Sequence, residues 1–402
     1  MWFLILLVGF SFSLQISLKD ALELALKNNR TLKKLERELS SAVYREKLSL
    51  WERFSPETDV RVSRDRLELV ARVLLLEFGR RTKNIKAEEH RKKIAELTLL
   101  EFKNRLKIEV TDLYIKLLLY DVMAQEKREF MAVAFVRFDR EREKMKLGLS
   151  DRVKVSELEK VYRKYRKELF EVQRKYNETL YRLKRYLGLK MEEDLEIKPL
   201  KFRIPFEKNF KEKVLLDKVK NNYKLKIKNQ EIAYYRELEK GERTLFKPEV
   251  VLEGRFGRDF DEKDYYTKFN TYINIPILDP RPELRRKTLK EKRLALMREY
   301  RELEEEVKER VYTFPYIWDE IRENYKYAKT YFNWAENNLE KKRSEYELQL
   351  AFDLGYAMAH YTEAERKLLE VNRRALLFLM EVYHTVGEDP VKALGNKHPF
   401  LE

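Results

Sequence analysis

The chain of 402 residues contains no cysteine, which excludes disulfides, thiol catalysis, Cys-ligated metals and a lipid anchor on an N-terminal cysteine. Glycine and proline are scarce, ten of each. A globular α/β enzyme needs more turn residues than that, so the shortage points to long uninterrupted helices. Beyond the N-terminus no stretch approaches about 18 consecutive apolar residues, and no helical membrane span is expected. The four histidines, His90, His360, His384 and His398, lack metal-ligand spacing. Neither a phosphate-cradling glycine loop nor a nucleophile motif occurs. No catalytic residue, cofactor or metal is therefore expected, and the chain is not expected to be an enzyme.

What is present is charge: 39% of residues are Asp, Glu, Lys or Arg, and the net charge is +16. Such an excess has two readings, an anionic partner or solvated helix faces rich in lysine. The charges are spread along the whole chain in mixed sign, which favours the second, and no nucleic-acid partner is expected. The N-terminus carries an uncharged apolar run from Trp2 to Phe12, with the small residues Ser11 and Ser13 at its end in cleavage spacing. We read residues 1–13 as an export signal cleaved after Ser13; the run is too short to span a membrane.

The two halves of the chain share a series of landmarks offset by about 200 residues. Lys27-Asn28-Asn29 with Leu32-Lys33 returns as Lys220-Asn221-Asn222 with Leu225-Lys226. Pro56-Glu57 returns as Pro248-Glu249, each before a strand-like hairpin, and a long charged helix follows each hairpin. Leu147-Gly148-Leu149-Ser150 returns as Leu348-Gln349-Leu350-Ala351, and the halves close at Leu187-Gly188 and Val386-Gly387. The expected organisation is a first repeat at 14–190, a connector at 191–208, a second repeat at 209–387 and a loose tail at 388–402. Half-length helices are expected at 17–54, 150–187, 209–245 and 352–387.

The long helix of the first repeat is expected from Arg80 to Lys146, and its counterpart from Glu283 to Glu347. A helix of about 67 residues spans roughly 100 Å. Leu99, Phe102, Leu106, Val110, Leu113, Leu117 and Tyr120 form one apolar stripe; Ile108, Ile115, Leu119 and Val122 form another on nearly the opposite side. Two stripes imply helical neighbours on both sides, in a barrel wall or a bundle alike. Pro315 inside the second long helix is expected to bend it, with Tyr312, Phe314, Tyr316 and Trp318 packed at the bend.

The hairpins, at 57–78 and 248–278, alternate with period two. One face of the second carries Val250, Leu252, Phe256, Phe269, Ile273 and Ile275; the other carries Glu253, Arg255, Asp259 and Lys268. That is the pattern of a strand with lipid on one side and water on the other. In the first hairpin Val70, Leu74 and Leu76 blur the polar face. Four strands cannot close a barrel across a bilayer, since open edges are intolerable in hydrocarbon, so the chain must oligomerise.

These residues resemble the TolC-like outer-membrane efflux family over about 16–387. Ile16-Ser17-Leu18-Lys19-Asp20-Ala21-Leu22-Glu23-Leu24-Ala25-Leu26-Lys27-Asn28-Asn29 is similar to that family's first helix, and Ile275-Pro276-Ile277-Leu278-Asp279 resembles its strand-to-helix junction. The resemblance implies a mainly α fold with a transmembrane β part: a long helical barrel plus a twelve-stranded β-barrel made by a homotrimer, four strands per chain. It implies an outer-membrane location, helices in the periplasm, and a passive exit duct for efflux or type I secretion. A periplasmic adaptor and an inner-membrane pump are the implied partners. It further implies that Lys144, Lys146, Gly148, Ser150, Asp151, Arg152 and Lys154, with Leu350, Asp353, Gly355, Tyr356 and Met358, form the aperture and adaptor-contact tips. Family members often carry acidic residues there; this chain has Lys154, Gly355 and Met358 at the corresponding positions, which points to an aperture less cation-selective than usual. The rival reading is a soluble coiled-coil protein without channel activity.

Overall fold

The computed structural model describes residues 14–52, 55–76, 80–200, 204–207, 209–242, 249–261, 264–274, 281–347 and 353–391. In chain order the elements are β1 (Leu14–Ile16), α1 (Leu18–Asn28), α2 (Arg30–Glu52), β2 (Glu57–Val62), β3 (Arg66–Leu76), α3 (Arg80–Lys146), α4 (Arg152–Leu187), β4 (Leu195–Ile197), α5 (Glu212–Lys218), α6 (Tyr223–Gly241), β5 (Glu249–Asp259), β6 (Tyr265–Asn274), α7 (Arg281–Glu347) and α8 (Leu354–Thr385). They fall into two compact units. One is built from 1–32, 103–218 and 309–402, the other from 33–102 and 219–308. Each unit draws on both sequence halves, and α3 and α7 each contribute to both.

The two 67-residue helices follow from composition. Nothing in α3 is Gly or Pro, and its apolar positions recur at helical spacing. Its middle turns are buried on more than one side: Leu106, Val110, Leu113 and Leu117 of the first stripe, Ile115 and Leu119 of the second. Around Pro315 the aromatics divide. Phe314 and Trp318 are buried and pack with Phe206, Phe210 and Phe378, ring centroids 5.5–5.8 Å apart. Tyr312 and Tyr316 lie on the opposite side of α7 and are exposed, so half of the expected cluster forms.

Of the four half-length helices, α4 and α8 fall where expected; those at 17–54 and 209–245 are broken, and the Lys-Asn-Asn motif explains how. Instead of one helix from 17 to 54 there are two, separated at Asn29. The later segment breaks at Asn222, after a 3₁₀ turn at Val219–Asn221. The two asparagines have nearly the same backbone, φ −58 and ψ 124 against φ −51 and ψ 130. Each turns its side-chain carbonyl into the next helix as an N-cap. Asn29 accepts from the Leu32 N–H at 3.0 Å; Asn222 accepts from the Lys224 and Leu225 N–H groups at 2.9 and 3.3 Å. Leu32 and Leu225 are both buried, so each break is closed by a cap and an apolar anchor three residues on.

β1 and β4 form a small parallel pair that periodicity does not reveal in strands of three residues. The buried Tyr114 hydroxyl reaches the Ile16 and Lys198 carbonyls at 3.1 and 2.8 Å, fastening the pair to α3. The start of the expected loose tail is pinned: Asp389 pairs with Lys107, and Glu388 with Lys218 at 2.7 Å. The proposed export signal, Leu350 and Ile275 lie outside the described residues.

Candidate functional site: an inverted sheet and two helical tips

The second unit holds a four-stranded antiparallel sheet in the order β2-β3-β5-β6. Its register assembles the outward face in rows. Val62, Leu67, Arg258 and Tyr265 form one; Val60, Leu69, Phe256 and Thr267 the next; then Thr58, Ala71, Gly254 and Phe269, followed by Val73, Leu252 and Thr271. A fifth row pairs Val250 with Ile273. From Val250 to Arg258 the strand covers about 27 Å. These side chains are exposed or half-buried, with Phe269 74% and Phe256 53% exposed. All five described residues expected to face lipid lie on this side.

The opposite face carries most of the charge; at its centre the carboxylates are buried and paired, while Asp59, Arg61 and Lys268 on the edge strands are exposed. Glu253 is 2% exposed and accepts from Arg72 at 2.7 Å and Arg255 at 2.6 Å. Asp259 pairs with Arg66 at 3.1 Å, and Tyr266 donates to Glu68 across β5. Gly257 makes room for that link, because a Cβ there would come within 2.9 Å of the Leu67 carbonyl. Phe269 similarly covers its cross-strand partner Gly254. The apolar residues that blurred the pattern in β3 have a place. Val70 fills the charged face at 0% exposure, and a register shift between Leu74 and Leu76 absorbs the extra residue of the leucine run. Apolar side out and charged side in is the reverse of a sheet lying on a soluble core.

In the other unit, α3 and α4 are joined by a tight turn. Gly148, at φ +73, supplies the left-handed residue that ends α3, and Leu149 N–H bonds back to the Lys144 carbonyl at 2.9 Å. Asp151 caps α4 through the Lys154 N–H at 2.9 Å. A residue not singled out from sequence organises this tip. Glu141, its side chain 8% exposed, accepts from Ser150 Oγ at 2.6 Å and pairs with Lys154 at 3.0 Å and Lys144 at 3.4 Å. The Ser150 and Lys154 bonds hold its carboxyl down at about 2. Lys146 pairs with Glu143 at 2.7 Å. The basic tip is thus partly neutralised from within, while Leu147, Leu149 and Val153 stand exposed. A glutamate one turn before a lysine at a helix end was the available signal for Glu141.

At the start of α8 the pattern changes. Asp353 occupies the N-cap position but makes no side-chain cap bond; it pairs with Arg137 of α3 at 2.9 Å. That guanidinium also lies over the Tyr356 ring, 4.2 Å from its centre. Gly355 sits so close to α3 that a Cβ would be 2.6 Å from Val133. Met358 is exposed. One turn on, Glu363 accepts from Tyr331 of α7 at 3.0 Å and Lys367 at 2.9 Å. Burial pushes the Tyr331 hydroxyl up to about 12, helped by Glu363.

No helix among the described residues is long and apolar enough to cross a membrane, and none of their His, Asp and Glu side chains cluster as a metal site. No family model matches the sequence, and no curated protein is a significant match. Solved structures do match, and they define the class of fold: long paired helices with a small sheet, as in bacterial outer-membrane channels. The Campylobacter jejuni CmeC outer membrane channel aligns with TM-score 0.76 over 94% of this chain and 88% of its own, at 14% identity. The outer membrane protein VceC of Vibrio cholerae aligns with TM-score 0.71 over 92% and 96%, at 14% identity. The open-state MtrE outer membrane channel of Neisseria gonorrhoeae aligns with TM-score 0.66 over 93% and 89%, at 13% identity. The fold expected from the sequence, mainly α with a small β part, is the fold observed.

Proposed function

We propose that this chain is one protomer of an outer-membrane export channel, a passive, non-enzymatic duct with its strands in the outer membrane and its helices in the periplasm. The observation that carries the reading is the inverted sheet: five rows of mainly apolar outward residues over a charged face whose central carboxylates, Glu253 and Asp259, are buried, on a fold shared with outer-membrane channels. β2 and β6 each pair on one side only, and in hydrocarbon such edges need partners. Three copies closing a twelve-stranded barrel meet that need. The two tandem halves then supply equivalent walls, and the tips around Gly148 and Asp353 contact an adaptor joined to an inner-membrane pump. The exposed Leu147, Leu149 and Val153 suit an apolar docking contact.

Fractionation of cells expressing the full chain tests this directly. The mature protein is expected in the outer-membrane pellet, resistant to salt wash, and as a conducting pore in planar bilayers. Recovery as a salt-extractable, non-conducting protein would support the coiled-coil reading instead. Reversal potentials across a salt gradient test the tip. Without acidic residues at the Lys154, Gly355 and Met358 positions, weak cation preference is expected; strong cation preference would rule that out.

A further inference from the structure

One charged residue interrupts the outward face of the sheet. Among the described strand positions on that side, every residue is apolar, Thr or Gly except Arg258. It lies in the last row before the β5–β6 turn, between Leu67 and Tyr265, and is exposed. That end is the rim remote from the helices of the same unit, because α2 and α6 feed into β2 and β5 at the other end. Its guanidinium lies over the Tyr265 ring, 5.3 Å from the centre, and Phe256 stacks with Tyr265, ring centroids 6.3 Å apart. Tyr265 is 61% and Phe260 44% exposed beside it.

Two described carboxylates nearby have other partners. Asp259 points to the other face and pairs with Arg66; Asp264 accepts its neighbour's N–H, that of Tyr265, at 2.8 Å. A neighbouring copy is a poor occupant for the site. β5 is an interior strand, paired on both sides by β3 and β6, so barrel closure at β2 and β6 leaves the outside of β5 facing the membrane. An arginine collared by exposed aromatics at the end of an apolar band is placed at headgroup depth, where its planar fork matches phosphate.

Resting on the channel reading above, we propose that Arg258, with Tyr265 and Phe256 as its collar, binds the phosphate of an anionic lipid headgroup at the outer rim of the sheet. The guanidinium supplies the fork and the rings hold it at the interface, so one face of the protein carries a lipid site that the lumen-facing charges do not share.

The test uses the full-length assembled protein, purified in detergent and offered phosphatidylglycerol or phosphatidylcholine, with retained lipid counted by native mass spectrometry. Wild type is expected to favour phosphatidylglycerol by about five-fold, the scale of one basic residue at an anionic surface. Arg258→Gln should bring that ratio close to one, Arg258→Lys should leave an intermediate value, and Lys268→Gln on the opposite face should leave it unchanged. Excess inorganic phosphate should not displace the lipid; displacement would mean that the site takes a free anion. Equal ratios in wild type and Arg258→Gln would overturn the proposal, as would loss of oligomer without change in lipid. Should Arg258→Gln fail to fold, Arg258→Lys alone decides between an intermediate ratio and an unchanged one. Flotation separates the two levels of inference. If wild type does not insert into vesicles, the channel reading falls; if it inserts but shows no preference for the anionic lipid, only this inference falls.

Discussion

The turn from α3 into α4 and the start of α8 each open a helix that follows a 67-residue helix, yet they are held in different ways. At the first, every fastening is local: Asp151 caps its own helix, Gly148 turns the chain, and Glu141 gathers Ser150, Lys144 and Lys154. At the second, Asp353 forgoes its cap and reaches Arg137, and Gly355 lets α8 settle against Val133. The first region is fixed by its own sequence, the second by its contact with α3. The starts of two helices of similar length can therefore differ in what would dislodge them.

Substitutions should separate the two modes. The largest effect is expected at Gly355→Leu, which forces a side chain into Val133 and should cost about 1–3 kcal/mol in chemical denaturation, with faster hydrogen exchange over 354–360. Gly148→Ala has open space around it but a left-handed backbone, and should cost about 1–2 kcal/mol with exchange changes confined to the turn. Asp151→Ala removes a working cap and should cost about 1 kcal/mol. Asp353→Ala removes an exposed ion pair and no cap bond, so under about 0.5 kcal/mol is expected, with the exchange change appearing around Arg137 as well. Equal costs for the two aspartates would erase the distinction.

Acid offers a finer cut. The Glu141 carboxyl is lowered to about 2 by the hydrogen bonds it receives, so its contribution is fully present above the ordinary carboxylate value and fades as pH falls toward 2. The first turn should keep its amide protection at pH 5 and lose it progressively below about 4. Glu141→Gln should flatten that dependence, and an unchanged profile would show that the carboxylate does not hold the turn.

Much of this fold was legible because period and length are strong signals in long elements. The bounds of α3 follow from a run without Gly or Pro, and the outward rows of β5 and β6 follow from alternation. The helix break at Asn29 was not read, although the motif that makes it was in view; one side-chain cap decides between a continuous helix and two, and local composition barely differs. β1 and β4 escaped because three residues have no measurable period. At the tips the residues were legible and their partners were not. Arg137 lies 216 positions from Asp353, and only the packing of α8 on α3 brings them together.

The two strands at the margins of the sheet, each paired on one side only, carry one more consequence. If these edges close against other copies, as the proposed channel requires, the melting temperature should rise with protein concentration and refolding should be of higher than first order. Diluting the refolding mixture should then lengthen the lag before any heat-resistant species accumulates.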